Sequence, residues 1–220
     1  MVAPESERSA IGHAVTMAVP LRAWADRLAD GRDVVAVDGT PADCVKIAVK
    51  ALCPRRPDLV MSGINQGGNA GVNVIYSGTV SAAIEATILG IPAAAVSLDT
   101  FTRPDFGDAA AFAGRLGAKL LAEGLPRGVL LNVNVPPGAV RGVRFTRQSG
   151  AVLDDYYEER TDPRGRRYFW LAAERMLAPD PRDDDDLTAL AAGFVSITPL
   201  RYDLTDEAAL TGLARWTTEL

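Results

Sequence analysis

Apolar residues in this chain fall into two alternating patterns. Short, nearly continuous apolar runs at residues 34–37, 59–61, 93–98, 129–135 and 194–198 have the length and make-up of strands buried on both faces. Between them, apolar residues recur every three or four positions: Val45, Ala48, Val49 and Leu52; then Val80, Ala83, Ile84 and Ile88; then Ala113, Leu116 and Leu120. That spacing predicts helices. The first is well specified at its start, with Thr40 as N-cap, Pro41 in the first turn and Asp43 completing a Thr-x-x-Asp box. Gly90 and Pro92 close the second, and Asp105 or Asp108 opens the third. Residues 2–4 read as the end of a strand leading into a polar loop at 5–9, and residues 205–216 as a closing helix.

Strand and helix in regular alternation predict an α/β fold, a mostly parallel sheet with helices on both faces. Past residue 141 the pattern changes. Segments 143–146, 156–157 and 167–171 are aromatic and charged, with the turn Asp162-Pro163-Arg164-Gly165 between the last two. They predict a projecting β-hairpin arm, residues 141–172, within a single domain spanning 1–220.

Composition narrows the partners. At 220 residues and 48% hydrophobic the chain can bury a core. Its net charge of −5 and pI near 5.0 argue against nucleic-acid duplexes and anionic membranes as main partners. No apolar run approaches the ~18 residues of a membrane helix. Two cysteines, Cys44 and Cys53, without a zinc-ligand pattern suit reduced thiols, so cytoplasm is the expected location.

Candidate chemistry concentrates in residues 59–90. A buried strand runs out into Ser62, Gly63, Ile64 and Asn65; Gly67, Gly68 and Gly71 give a loop able to approach a ligand closely; and Ser77, Gly78 and Thr79 open a helix. The first N–H groups of a helix lack intrahelical acceptors and its dipole favours negative charge there, so this start suits a phosphate. The plainer reading is that Ser77 or Thr79 caps the helix. Gly39 and Thr40 follow a neighbouring strand and are expected to line the same pocket, since strand-to-helix loops converge at one sheet edge.

The segments VMSGIN and YSGTVSAAIEA, with the glycine and asparagine loop between them, resemble the central block of the SurE family of survival-protein nucleotidases. VAPESERSAIGHAVT, VDGTPADCVKIAV, LLNVNVP, VRFTRQS and GFVSITPL resemble further family segments in family order. The resemblance implies a Rossmann-like sheet and a 5′/3′-nucleotidase that hydrolyses nucleoside monophosphates with a divalent cation, Mg²⁺ or Mn²⁺. It implies Ser9 and Asn65 as metal ligands, and Asn69, Ser77, Gly78 and Thr79 as phosphate or substrate contacts. It also implies a homodimer or homotetramer paired through the arm.

Family members open with a strand ending in Asn-Asp-Asp-Gly, whose aspartates bind the metal; no such motif stands in these residues. The expectation is therefore a gap or an exposed sheet edge, and weak or absent turnover by this chain, because two neutral oxygens compete poorly with water for a hard dication. A non-catalytic nucleotide-binding or interaction protein is the alternative. Asp154-Asp155 and the run from Asp183 to Asp186 read as solvated faces rather than replacement ligands. His13, the single histidine, reads either as a general base or as a structural support of the Ser9 loop.

Overall fold

The computed structural model describes residues 1–102, 104–151, 153–176 and 183–218. Ten strands and six α-helices follow one another as β1 (Val2–Pro4), β2 (Ala23–Arg27), β3 (Asp33–Val37), α1 (Pro41–Ile47), β4 (Val60–Gln66), α2 (Asn73–Tyr76), α3 (Gly78–Ile88), β5 (Ala93–Leu98), α4 (Gly107–Glu123), β6 (Val129–Val135), β7 (Val143–Phe145), β8 (Leu153–Thr161), β9 (Arg167–Met176), α5 (Asp186–Ala191), β10 (Val195–Arg201) and α6 (Glu207–Leu213). The architecture is α/β, with a mostly parallel central sheet.

That sheet has the order β4-β5-β6-β10-β7; β4, β5 and β6 run parallel, and β10 is antiparallel to β6. β5 is buried at all six positions, and its side chains divide by the two-residue period of a strand. Ala94, Val96 and Leu98 pack with Leu116 and Leu120 of α4 on one face, while Ala93 and Ala95 pack with Val80, Ala83 and Ala86 of α3 on the other. A continuous apolar run is thus the signature of a strand with a helix on each face. Burying one such aliphatic side chain contributes roughly 1.5–3 kcal/mol.

A second sheet, β1-β3-β2, stands apart, with β1 parallel to β3 and β2 antiparallel to it. β2 is exposed at every position, so it carries no apolar alternation and left no mark in the sequence. β1 and β4 are edge strands, and both line a groove of about 570 Å³: Val2, Ala3 and Pro4 on one side, Val60, Met61 and Ser62 on the other, with Cys44, Val45 and Ala82 from α1 and α3.

Three expectations are revised. β4 continues through Asn65 to Gln66 instead of ending at Met61, with its register to β5 shifting between Ser62 and Asn65. Gly63 permits this: its φ is +114°, and a Cβ there would overlap Val96 O. The segment at 143–145 belongs to the central sheet, beside β10, so the projecting arm is β8–β9 alone, from Leu153. The acidic run is only half a solvated face. Asp183 and Asp184 are exposed, but Asp185 and Asp186 are buried. Asp185 caps α5 by accepting from Thr188 N at 2.9 Å and Thr188 Oγ1 at 2.8 Å. Asp186 accepts from Gly71 N at 2.9 Å, Ser149 N at 3.0 Å and Leu187 N at 2.9 Å. Charge repetition suggested solvation, whereas unpaired backbone donors drew two of the four carboxylates inside.

Candidate active site

The carboxyl ends of β1 and β3 and the start of α3 converge on Gly78. A Cβ placed there would lie 2.9 Å from Pro41 Cγ, at the start of α1, and 3.5 Å from Arg8 O, in the loop after β1. Ser77 is the N-cap of α3 and accepts from Val80 N at 3.1 Å, so the capping reading of its hydroxyl holds. The cap serves only one of the orphan donors; the N–H groups of Gly78 and Thr79 lie ahead of the first intrahelical acceptor and are what the helix offers an anion. Thr79 lines the 570 Å³ groove together with Pro4, Ser62 and Gly63.

The loop carrying Ser9 is held against this helix start. Gly12 N donates to Tyr76 O at 3.0 Å, and His13 Nε2 lies 3.1 Å from Glu85 Oε2. Glu85 is buried and its other oxygen accepts from Lys46 Nζ at 2.6 Å, so one carboxylate ties the Ser9 loop, α1 and α3 together. His13 is thus tied to α3 through Glu85, the contact that the loop-support reading expects. Ser9 itself is exposed, its Oγ donating to Glu7 Oε1 at 2.7 Å.

Asn65, at the end of β4, donates through Nδ2 to Gln66 O at 3.0 Å and Gly67 O at 2.8 Å, leaving its carbonyl oxygen as the acceptor end. Ser9 thus follows β1 and Asn65 lies near the end of β4, the two strands that bound the groove, each with separate hydrogen-bond partners. As donors for a divalent cation they are two neutral oxygens, and the described residues contain no group of three or more His, Cys, Asp or Glu able to hold a metal. Mg²⁺ and Mn²⁺ favour carboxylate oxygens. The described residues therefore do not by themselves fit such an ion.

Thr40 and Gly39 are occupied otherwise. Thr40 Oγ1 accepts from Asp43 N at 3.0 Å and donates to Ala14 O at 2.7 Å, and Thr40 N donates to Asp43 Oδ2 at 3.0 Å. Gly39 is packed beneath Leu21 and Asp43. Asp43 also accepts from Thr16 N and Thr16 Oγ1. Burial pushes its carboxyl up, but the hydrogen bonds from Thr16 and Thr40 outweigh that and hold it below the ordinary value of 3.8. Beside it, burial and the Asp43 charge push the Cys44 thiol up to about 12, which makes it inert at neutral pH.

Asn69 anchors the glycine loop. Its N–H donates to Asn134 Oδ1 at 2.7 Å, its Nδ2 to Ser97 Oγ at 2.7 Å, and its carbonyl accepts from Asn132 Nδ2 at 2.7 Å. Asn132, Asn134, Ser97 and Asp186 received no site role from the sequence. The two asparagines had a readable signal: alternate polar amides inside the buried run VLLNVNV require partners, and the backbone of Asn69 supplies them for Asn132 Nδ2 and for Asn134, leaving Asn132 Oδ1 buried without a partner among the described residues. Asp99, just past β5, lies against Gly68; burial pushes its carboxyl above 3.8, and the nearby Gly68 N–H opposes that. It too was missed, being one aspartate among many in the sequence.

Fold and site define an α/β protein in which the loop after β1 and the start of α1 meet the capped start of α3 beside a groove. The family model "Survival protein SurE" matches residues 1–155. The chain is 48% identical over 219 residues to the 5′-nucleotidase SurE of Symbiobacterium thermophilum, covering 98% of this chain and 85% of that protein. It is 50% identical over 218 residues to the 5′-nucleotidase SurE of Syntrophotalea carbinolica, with the same coverage of each. The crystal structure of the SurE protein from Aquifex aeolicus is similar with a TM-score of 0.80 and 36% identity, over 99% of this chain and 87% of that one. The chain belongs to the SurE family. No helix among its described residues is long and apolar enough to cross a membrane.

Proposed function

We propose that the chain is a 5′/3′-nucleotidase, a phosphomonoesterase that hydrolyses nucleoside monophosphates with the phosphate seated at the start of α3. The observation that carries this reading is the convergence of the loop after β1 and the start of α1 on Gly78, next to Thr79, which lines the groove together with Ser62 and Gly63 of β4. Relatives of nearly half identity over nearly the whole chain are named 5′-nucleotidases, which supports the same chemistry. Phosphoryl transfer needs charge neutralisation and in-line positioning more than covalent participation. In this reading the N–H groups of Gly78 and Thr79 hold two phosphate oxygens. Asn69, with Asn132 and Asn134 behind it, keeps the glycine loop at a set height over β5 and β6.

A divalent cation, Mg²⁺ or Mn²⁺, belongs to the proposal as cofactor, with Ser9 and Asn65 as its neutral ligands. It would supply positive charge at the phosphate; no step is assigned to it, because the described residues do not complete its ligand set. Gly39 and Thr40 are retained only as supports of the start of α1. A cytoplasmic location accords with two unbridged cysteines. Assembly as a homodimer or homotetramer accords with the arm, where Tyr156, Tyr157, Tyr168, Phe169, Trp170 and Leu171 are exposed on a two-stranded hairpin, which is marginal in water without a covering surface. Nothing observed favours the non-catalytic alternative.

The test is hydrolysis of adenosine 5′-monophosphate by these 220 residues with Mg²⁺ or Mn²⁺ and with a chelator, alongside equilibrium binding of the nucleotide. Binding is expected, with metal-dependent turnover weak. Asn65→Ala is expected to lower whatever turnover exists. Absence of nucleotide binding would sink the phosphate site. Strong metal-dependent turnover would mean that carboxylates supply the ligands after all, with Asp183, Asp184 and Asp155 the first to substitute; the side chain of Asp154 lies outside the described residues.

A further inference from the structure

The loop from residue 5 to residue 13 runs from β1 to α3 in a backbone shape that it does not favour by itself. Ala10 has a φ of +55°, a left-handed conformation that disfavours any side chain, and Gly12 has the same φ, with 3.2 Å between the place of a Cβ and Ile75 O. Such a loop keeps its shape where its surroundings impose it. Past Ser9, Gly12 N donates to Tyr76 O at 3.0 Å, His13 Nε2 meets Glu85 Oε2 at 3.1 Å, Thr40 Oγ1 donates to Ala14 O at 2.7 Å, and Thr16 donates through N and Oγ1 to Asp43. The first and third of these anchors are uncharged, and Asp43 has a carboxyl held below 3.8. The second contains the single histidine of the chain.

We infer that Glu85 is a positioning residue of the phosphate site, holding the Ser9 loop through His13 in a proton-dependent way, an inference that rests on the reading of the α3 start as that site. Glu85 is 3% exposed and lies about two turns beyond Gly78 on α3. A buried carboxylate has to be met by charge or by donors. Lys46 of α1 meets one oxygen at 2.6 Å and His13 the other. An ionised carboxylate only accepts, so Nε2 carries the proton of this bond in imidazole and imidazolium alike; the bond persists in both and is about twice as strong in the charged form. Histidine is the side chain that ordinarily changes charge between pH 5 and 8. The charged groups around the pair are Lys46 and Asp43 from α1 and Glu5, Glu7 and Arg8 from the loop; Glu5 pairs with Arg8 at 3.9 Å, and Glu7 takes the Ser9 hydroxyl. Among the described residues, Glu85 is the one that bonds the His13 ring. The loop that this bond tightens brings Arg8 O within 3.5 Å of the place of a Cβ on Gly78, so its position sets one wall of the anion site. A proton on His13 also adds positive charge about two turns from the anion. Both effects favour an anion at lower pH.

Equilibrium titration of the full chain with inorganic sulfate, a tetrahedral dianion throughout, at about pH 5.5 and about pH 8 and constant ionic strength reads this coupling. The parent is expected to bind sulfate about threefold tighter at the lower pH, since one hydrogen bond is strengthened and part of that gain reaches the anion. His13→Gln keeps a donor for Glu85 but does not titrate, so it should bind equally at both, near the affinity of the parent at about pH 8. Glu85→Gln keeps the shape of the buried side chain without its charge and should lose the pH dependence as well. A merely structural role would change affinity by the same factor at both pH values. Binding by the parent that is independent of pH would overturn the inference with the phosphate site left standing. So would a threefold ratio retained by His13→Gln, which would place the titration on other groups such as Asp99 and Asp186, whose carboxyls burial raises. A ratio retained by Glu85→Gln would remove Glu85 from the role. Failure of the parent to bind sulfate at either pH would overturn the phosphate-site reading and this one with it, an outcome distinct from binding without pH dependence.

Discussion

Asp186→Ala tests whether the glycine loop is held from the far end of the chain. Asp186 is fully buried and accepts three backbone N–H bonds, from Gly71, Ser149 and Leu187. Leu187 N–H lies in the first turn of α5, where water can replace the lost acceptor. Gly71 and Ser149 are buried, and each orphaned donor costs about 1–3 kcal/mol. The substitution also relieves a desolvated carboxylate, whose titration burial pushes above 3.8. Set against a gross loss of roughly 2–6 kcal/mol, that relief leaves an expected net loss of about 2–4 kcal/mol. For a chain of this length this corresponds to a fall in melting temperature of roughly 5–15 °C. Urea unfolding followed by circular dichroism gives the free energy, and nucleotide titration reports the loop. Asp186→Asn, which keeps one acceptor in place, should recover part of the loss. A change below about 0.5 kcal/mol, the range of an ordinary surface substitution, would show that Gly71 and Ser149 find other acceptors and that Asp186 does not hold the loop.

Two other perturbations follow from the same geometry. Asp43 titrates below its unfolded value of 3.8, so its stabilisation is present above that value and is lost as pH falls through the folded one. Asp43→Asn should therefore destabilise the protein at pH 7, with the gap to the parent closing below about pH 4 in parallel denaturant titrations; a gap independent of pH would refute the assignment. Asp99 and Asp186 act with the opposite sign, since stability from a raised carboxyl falls as pH rises above 3.8, which is why the comparison is between variant and parent. Deleting residues 153–171 should convert an oligomer to a monomer of unchanged fold, because exposed aromatic residues on a hairpin are suited to an interface; unchanged mass per particle in light scattering would refute the role of the arm.

The local order of this chain determined much of its fold. Val129–Val135 and Ala93–Leu98 are strands because a run without polar breaks has to be covered on both faces, and Thr40, Pro41 and Asp43 start α1 because they satisfy its first N–H groups within four residues. Ser77 was legible in the same way, as a cap visible from neighbouring positions. Pairing over distance was not. β2 bears no apolar alternation and exists because β3 offers it an edge; β7 reads like part of an arm until β10 is placed beside it. Asp186 sits in a run of four aspartates that local pattern assigns to solvent, yet it serves a donor 115 positions away at Gly71. The contact between Glu85 and His13 spans 72 positions, and Tyr76 faces Gln148 and Asp155 only once β8 follows the sheet. Periodicity and capping act over one turn or one pleat, so the sequence carries them in neighbouring letters. The partners of buried polar groups depend on which loops the topology brings to one sheet edge, and that is set by the tertiary structure.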